Sequence, residues 1–298
     1  MFTIEETLKA SDIVTALTTG PYLIYSEVFE GARRPLAFLT AVKEDFSLIG
    51  SDGNTIKFMS ATQLTGHSSP EATILASGMA ADDKTVTSVM VQVTDPIWSA
   101  IEMTDILGED FPRVDWLRMN LRNMGAAIME YLDSAVYDVF VAAAGTVTNS
   151  CATLAYGTVI DSLAKMENGN WIADDRNVPL LIVSPEAAAG IMKDTLFVDA
   201  RRYTVYEISK MVEGEIGMFG GCRVLKTSLL DGKAYCFIIF PNDGANGPVA
   251  LLAWKRRLTI KNEYSAFKAY SYYVTSIRAK GVVVQAKGVC KITQTTTP

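Results

Sequence analysis

The most informative stretch of the chain runs from Val178 to Leu230 and reads VPLLIVSPEAAAGIMKDTLFVDARRYTVYEISKMVEGEIGMFGGCRVLKTSLL. Its apolar start, Pro179–Val183, is typical of a buried strand. Ser184-Pro185-Glu186 then predicts a helix start, because serine caps a helix, proline suits its first position and glutamate complements its dipole. The glycine-spaced run Gly214–Gly221 predicts turns before a strand that ends at Lys226-Thr227-Ser228. None of these residues forms a pattern that carries catalytic chemistry.

The composition is that of a folded protein and excludes several function classes. The chain has 298 residues, of which 49% are hydrophobic and 20% charged, with a net charge of -6. This length suits one large domain or two smaller ones. The negative charge argues against a dedicated nucleic-acid binder, which needs clustered positive charge to displace counterions from phosphates.

The cysteines and the single histidine leave little material for metal or imidazole chemistry. The four cysteines show no CxxC spacing, and the lone histidine, His67, lies in a polar segment. We expect the cysteines to be reduced and mostly buried in a protein made in the cytoplasm. The N-terminus is acidic, and no apolar run approaches the roughly 18 residues of a membrane span. We predict a soluble protein with no catalytic, cofactor-binding or metal-binding residue, and no enzyme activity.

The first third of the chain predicts an arm and a protruding hairpin. Residues 1–35 alternate short helical pieces with polar breaks, so they predict an extended arm with little core of its own. Residues 55–63 and 84–94 alternate apolar and polar residues as strands do. A tip of about 20 residues between them, 64–83, is improbable in a compact domain unless it has a function.

The clearest helix is predicted for Asp115–Val141. Apolar residues recur there at steps of three and four, at Leu117, Leu121, Met124, Ile128, Leu132, Ala135 and Val139. At 1.5 Å per residue this helix is roughly 40 Å long. A second helix fits 158–167. Strands are predicted for 234–240, 249–254 and 288–293, with one long β-like run over 258–285, and this mixture without βαβ alternation indicates an α+β fold.

The order of these parts resembles the Hong Kong 97-type capsid fold of tailed-virus major capsid proteins. The residue-level resemblance lies in the axial lobe of that family, which has a strand, a Ser-Pro-Glu helix start, a Lys-Asp…Phe turn and a glycine-rich approach to a Gly-x-x-Val strand. The matching positions are Leu181–Val183, Ser184-Pro185-Glu186, Lys193-Asp194 with Phe197, Glu215-Ile216-Gly217, and Gly221 to Val224 with Thr227-Ser228.

The resemblance implies the following division of the chain. It gives an N-terminal arm (1–35), a peripheral domain (36–54 and 96–150) with a spine helix (113–145), an extended hairpin or E-loop (55–95) and an axial α/β domain (151–255). It also implies a long peripheral strand (256–285) and a C-terminal strand that returns to the axial domain (286–298).

The function implied by the resemblance is a shell built from copies of this chain. Hexamers and pentamers would form an icosahedral virion capsid around double-stranded DNA, assembled in the host cytoplasm. The implied partners are other copies, a scaffolding protein, a portal and decoration proteins, with only weak non-specific DNA contact and no membrane. Mild acidity suits the inner wall of such a shell. An encapsulin-type nanocompartment shares the fold and stays open as an alternative.

Several residues also allow sharper interpretations. Residues 214–221 lack the spacing of a phosphate loop and precede a strand, so turns are favoured. The acidic residues before the long helix do not match a calcium loop and favour solvated carboxylates. They are Glu102, Asp105, Glu109 and Asp110, and an enzyme that uses Asp105 and Glu109 is a distant alternative.

The basic triplet Lys255-Arg256-Arg257 favours a solvated or inter-subunit face over contact with DNA. Some relatives form Lys–Asn crosslinks, but no motif assigns that role to Lys57, Lys84 or Asn262-Glu263. Aromatic residues from Tyr264 to Tyr273 favour sheet packing over base stacking.

Overall fold

The computed structural model describes most of the chain. The described residues are 28, 30–32, 36–60, 87–104, 113–144, 147–169, 171, 177–193, 215–241, 247–265 and 269–295. The predicted hairpin tip, including His67, and most of the predicted arm therefore lie outside the described residues, as do residues 194–214 of the stretch from Val178 to Leu230.

The described residues form an α+β fold, which confirms the predicted fold class. The helices are α1 (Ala37–Thr40), α2 (Arg113–Ala143), α3 (Tyr156–Glu167) and α4 (Pro185–Lys193). The first six strands are β1 (Lys43–Asp45), β2 (Thr55–Ser60), β3 (Thr87–Gln92), β4 (Ile97–Thr104), β5 (Val147–Cys151) and β6 (Leu180–Val183). The others are β7 (Glu215–Phe219), β8 (Cys222–Lys226), β9 (Tyr235–Ile239), β10 (Ala250–Ser265), β11 (Tyr270–Val283) and β12 (Val289–Gln294).

One sheet has six strands in the order β5-β12-β9-β6-β8-β7 and is built around the stretch from Val178 to Leu230. Its central strand β6 is fully buried, as its unbroken apolar run predicts. The Ser184 hydroxyl accepts a hydrogen bond from the Ala187 amide at 3.1 Å, so the predicted cap at the start of α4 is confirmed.

A second sheet, in the order β1-β10-β11-β4, carries the long helix on one face. The helix-facing side of this sheet includes Tyr273, Ile101 and Met103, which pack against Leu117 and Leu121 of α2. Towards its C-terminus α2 contacts the six-stranded sheet as well, through the main hydrophobic core. The helix therefore joins the two sheets into one body, and the predicted helix over 115–141 is confirmed.

Phe38 of α1 lies at the junction of these layers. Its side chain is fully buried. The ring centroid of Phe38 lies 5.2 Å from that of Tyr137 and 6.0 Å from that of Phe140, both on α2. It lies 5.9 Å from that of Phe237 on β9. One aromatic residue in the segment after the predicted arm thus packs against the spine helix and the six-stranded sheet at once.

The prediction of one long strand over 258–285 is wrong. Residues 250–265 and 270–283 form two antiparallel strands, β10 and β11, of one hairpin. The turn between them includes Ala269 in a left-handed conformation, with φ 51°, and the segment 266–269 (Ala-Phe-Lys-Ala) lacks the Gly, Pro, Asn and Asp residues that mark turns in a sequence. The predicted strand 249–254 is the beginning of β10, which continues through register shifts between Trp254 and Thr259.

Strands β1, β4, β5 and β7 were not predicted. The prediction of turns over residues 214–221 is wrong for Glu215–Phe219, which pair with β8 as strand β7. In β4 (Ile97–Thr104) every second residue is half-buried and the others are exposed. The exposed set includes Trp98, so a large apolar side chain lies on the solvent face as well as on the half-buried face. The sequence therefore does not alternate cleanly between apolar and polar residues.

The cysteines match the prediction of reduced thiols. All four are free, with Cys222, Cys236 and Cys290 buried and Cys151 half-buried. Burial raises the pKa of the Cys222 thiol to about 12 and that of the Cys290 thiol to about 11. Within the described residues, no helix is long and apolar enough to cross a membrane.

Candidate assembly surfaces

The root of the β2–β3 hairpin is fixed to the four-stranded sheet. Phe58, Val91 and Val93 of the hairpin form a buried cluster with Leu48 and with the β10 residues Leu251 and Ala253. The Arg278 guanidinium on β11 donates hydrogen bonds to the carbonyl oxygens of Val93 and Thr94, at 3.0 and 2.9 Å. These contacts with β10 and β11 fix the position of the hairpin root on the four-stranded sheet.

Within the described part of β2 and β3, two facing residues are exposed to solvent. Lys57 and Met90 lie opposite each other and are both exposed, and 61% of the Met90 side chain is accessible. An isolated two-stranded ribbon is at best marginally stable in water. A ribbon that projects an apolar residue from such a root gains stability when another surface covers it.

The basic triplet Lys255-Arg256-Arg257 is largely engaged within the molecule. The Lys255 ammonium donates to the carbonyl oxygens of Gly53, at 2.7 Å, and Ser51, and so holds the loop after β1. The Arg257 guanidinium lies 4.6 Å from the centroid of the Phe46 ring. The sequence favoured a solvated or inter-subunit face for the triplet, and the structure corrects this for Lys255, which caps a loop of its own chain.

A groove of about 370 Å³ lies where the edge of β4 meets α2. Two exposed aromatic residues line it, Trp98 with 65% of its side chain accessible and Tyr131 with 63%. Large exposed aromatics beside a groove are typical of protein–protein contacts, because they bury much apolar area with few rotatable bonds.

The glycine-spaced run ends in a hairpin at the edge of the six-stranded sheet. Gly220 and Gly221 join β7 to β8 with φ values of 59° and 84°, a conformation that favours glycine. A Cβ atom at Gly220 would also lie 2.8 Å from Val159 Cγ1 of α3. The structure thus confirms turns at these two glycines. Nearby, Tyr156 packs edge-on against Phe219, with 5.5 Å between ring centroids.

The described part of the predicted arm, residues 28 and 30–32, is helical, as the short helical pieces of the sequence indicate, and it lies against α2. Val28 is fully buried in the cluster that includes Leu117 and Leu121. A Cβ atom at Gly125 would lie 2.1 Å from the Val28 carbonyl oxygen, so the two backbones touch. Glu30 and Arg122 form an exposed ion pair at 2.8 Å.

Asp133 is a buried carboxylate on α2 at the same junction as Phe38. Only 2% of the residue is accessible, and one carboxylate oxygen accepts a hydrogen bond from the Leu39 amide at 2.8 Å. Burial raises its pKa from 3.8 to about 6, although the hydrogen bonds from the Leu39 and Phe38 backbone oppose this shift. Glu130 and Lys226 line the adjoining groove of about 390 Å³.

We expect Asp133→Asn to change the pH dependence of stability. Because the folded-state pKa lies above the ordinary value, the folded protein binds this proton more tightly than the unfolded chain does. The proton therefore adds stability below about pH 4, and this contribution is lost as the pH rises to about 6. The free energy of unfolding of the variant minus that of wild type should therefore increase by about 2–3 kcal/mol from pH 4 to pH 7.

Urea unfolding of unassembled protein at both pH values measures this difference. Glu263→Gln, which removes a carboxylate from the exposed part of β10, is the matched control and should show a smaller pH-dependent change. Parallel pH profiles of wild type and Asp133→Asn would contradict the role given to burial.

The remaining candidates from the sequence do not converge on one site. Glu102 lies exposed on β4 opposite Tyr272, whereas Asp105, Glu109, Asp110 and Lys84 lie outside the described residues. Asn262 and Glu263 are exposed at the distal part of β10, and Lys57 is exposed on β2.

The aromatic run of β10 and β11 packs in the sheet in part. Tyr270 and Tyr273 are buried in the sheet as predicted, while Tyr264 is 57% accessible. Among the described residues, no group of three or more His, Cys, Asp or Glu side chains is placed to hold a metal ion.

These elements define the class of fold to which the chain belongs. A spine helix across a four-stranded sheet, a projecting hairpin and a six-stranded sheet with helices form the Hong Kong 97-type fold of phage capsid proteins. The chain aligns with the capsid of cyanophage P-SCSP1u at 12% identity and a TM-score of 0.66, over 88% of this chain and 89% of that chain. It aligns with the mature capsid of bacteriophage PhiM1 at 10% identity and a TM-score of 0.66, over 89% of each chain.

The same fold occurs in a virus-like particle from Pyrococcus furiosus. That similarity has 9% identity and a TM-score of 0.58, and covers 91% of this chain and 98% of that chain. No protein-family model matches the sequence, and no curated protein does either. At these identities the likeness confirms the predicted fold.

Proposed function

We propose that this chain is the major capsid protein of a tailed virus, which assembles into hexamers and pentamers of an icosahedral shell around double-stranded DNA. The observation that carries the proposal is the hairpin, whose described strands are anchored at the root and expose Met90, on a fold shared with phage capsids over 88–89% of the chain. A projecting ribbon of this kind costs stability in a monomer and is useful when a neighbouring copy covers it.

The other exposed apolar surfaces support the same proposal. Trp98 and Tyr131 lie at the edge of the four-stranded sheet, whereas Tyr156, Ile160 and Met218 lie at one edge of the six-stranded sheet. Contacts at several separate surfaces act together in a closed shell, so each can be individually weak. Weak single contacts also allow misplaced copies to dissociate during assembly.

The proposal extends to partners, location and chemistry. A scaffolding protein, a portal and decoration proteins would complete the virion, which would assemble in the host cytoplasm. The packaged DNA would contact the shell only non-specifically, in keeping with the net charge of -6. The chain would act as a structural protein and not as an enzyme.

Imaging of the purified protein tests the proposal. The full chain, expressed alone and with the gene product encoded upstream of it, should give capsomers or closed shells by negative-stain electron microscopy and sedimentation. A monodisperse 32.4 kDa monomer under all assembly conditions would contradict it.

The second candidate is an encapsulin-type shell that packages protein cargo. A virus-like particle from Pyrococcus furiosus has the same fold, so the fold is compatible with this candidate as well. The contents of shells purified from the native source, together with the neighbouring genes, distinguish the two. DNA with terminase and portal genes indicates a capsid, and an enzyme cargo indicates a nanocompartment.

A further inference from the structure

Two arginines lie directly opposite each other on the face of the four-stranded sheet that points away from α2. Arg256 on β10 and Arg278 on β11 are paired in the register of the two strands. Like charges at such a cross-strand position repel each other, because their Cβ atoms lie only about 5 Å apart. The fold therefore maintains a close pair of cations at a cost to its own stability.

Neither guanidinium is fully satisfied within the described residues. The Arg256 Nη2 atom donates to the Ser276 hydroxyl at 2.9 Å, and the Arg278 Nη2 atom donates to the hairpin root. The Nε atom of each arginine is buried and has no hydrogen-bond partner there. No ion pair to either arginine is present in the described part of the chain. A half-buried guanidinium with unused N–H donors is unfavourable unless an anion accepts hydrogen bonds from those donors.

The surroundings of the pair have the composition of a protein contact surface. Trp98 on β4 lies opposite Ser276, the residue that Arg256 binds, and 65% of its side chain is accessible. Lys280, two residues beyond Arg278 on the same face, is exposed. Tryptophan and arginine are the residue types that most often dominate the free energy of protein–protein contacts.

We infer that Trp98, Arg256, Arg278 and Lys280 form a receptor for a carboxylate-bearing segment of a second copy of this chain. Charge complementarity supports this occupant, because the chain as a whole has a net charge of -6 while this surface is cationic. Paired guanidinium groups bind a carboxylate through charge-assisted hydrogen bonds, often with two parallel bonds. The inference rests on the proposed self-assembly and identifies one surface that would mediate it.

Substitution of Arg256 gives the most direct test. Its hydrogen bond to Ser276 is local, whereas Arg278 also holds the hairpin root, so Arg256→Gln leaves that root intact. We expect Arg256→Gln to raise the protein concentration needed for shell formation about tenfold or more. The melting temperature of the unassembled protein should be no lower than that of wild type, because the substitution relieves the repulsion between the two arginines. Arg256→Lys, which keeps the charge but loses the planar fork, should give a smaller increase. Nuclease-treated protein is used for the threshold measurements, and shells isolated from cells without nuclease treatment are used to measure retained DNA.

Two controls make the outcome specific. Lys233→Gln removes the same charge from an exposed turn before β9 and should assemble like wild type. Trp98→Ala tests the same surface through an exposed side chain, and it decides the question if Arg256→Gln does not fold. Added NaCl should raise the threshold concentration more for wild type than for Arg256→Gln, because the variant has already lost part of the charge attraction.

The possible outcomes separate this inference from the proposed function. If wild type assembles and both Arg256→Gln and Trp98→Ala assemble at the same threshold, the receptor is overturned while the capsid function stands. If assembly is unchanged but the variant shells retain less DNA, the occupant is nucleic acid and the inference is also overturned. If wild type forms no shell under any condition, the proposed function fails and the receptor for a second copy fails with it.

Discussion

A variant in which residues 61–86 are replaced by Asn-Gly is expected to fold normally and to form no shells. Ser60 and Thr87 are opposite each other in the register of β2 and β3, so a two-residue turn can join them. The cluster of Phe58, Val91 and Val93 at the root remains, so the melting temperature of the unassembled protein should stay within about 2 °C of wild type. Only residues 61–86, which we propose to contact another copy, are lost.

Electron microscopy and sedimentation of this variant measure the effect, and a second variant separates length from sequence. In the second variant residues 61–86 are replaced by a Gly/Ser-rich segment of the same length, which keeps the reach but removes specific contacts. It should also fail to assemble. Shells at wild-type yield from the shortened protein would refute the role assigned to the hairpin, whereas a large fall in melting temperature would point to a folding defect.

Phe38→Ala is expected to cause the largest loss of stability among single substitutions at the junction of the layers. The ring is fully buried and contacts aromatic rings of both α2 and β9. Truncation of a buried phenylalanine typically costs about 3–5 kcal/mol, since it loses the transfer free energy and leaves a cavity. That is a large part of the roughly 5–15 kcal/mol by which most proteins are stable. Urea unfolding of unassembled protein measures it.

Phe46→Ala is the matched control for this prediction. Phe46 follows Phe38 closely in the chain but is 39% accessible, and it stacks on Trp254 with 6.3 Å between ring centroids. Its truncation should cost less than about 1.5 kcal/mol. Equal losses for the two substitutions would mean that Phe38 does not connect the layers. Phe38→Leu, which keeps apolar volume, should recover part of the stability.

The long helix was predictable because its signal is local. Leu117, Leu121, Ile128 and Leu132 recur at the helical period, and all are buried. The prediction is less accurate beyond Leu132. There the fully buried residues are Val136 and Phe140 rather than Ala135 and Val139, which are half-buried. The helix passes from the four-stranded sheet to the six-stranded sheet, and this change of packing partner rotates the buried stripe.

Burial of Asp133 could not be predicted from its type or position in the sequence. An isolated aspartate on a helix is usually exposed, because burial of its charge is costly. Here the backbone amides of α1 bind the carboxylate, and the segment that supplies them is 94 residues away in the sequence. A contact over that separation has no local signature, so only the folded chain reveals it.

The candidate receptor on the four-stranded sheet was partly visible in the sequence as the triplet Lys255-Arg256-Arg257. Lys255 and Arg257 both contact the segment after β1, through Gly53 and Phe46, whereas Arg256 pairs with Arg278. The pair of Arg256 and Arg278 lies between two register shifts, and irregular pairing of this kind depends on the partner strand.

Several local elements and the class of the fold follow from the sequence alone. The apolar run of β6, the cap at Ser184 and the turn at Gly220-Gly221 each follow from a few neighbouring residues, so they could be predicted directly. Only the tertiary structure decided which surfaces stay uncovered and which charges meet. It divided the 258–285 run into two strands and brought Arg256 opposite Arg278. Those outcomes depend on strand register and long-range packing, which are fixed by the balance of many contacts distant in sequence.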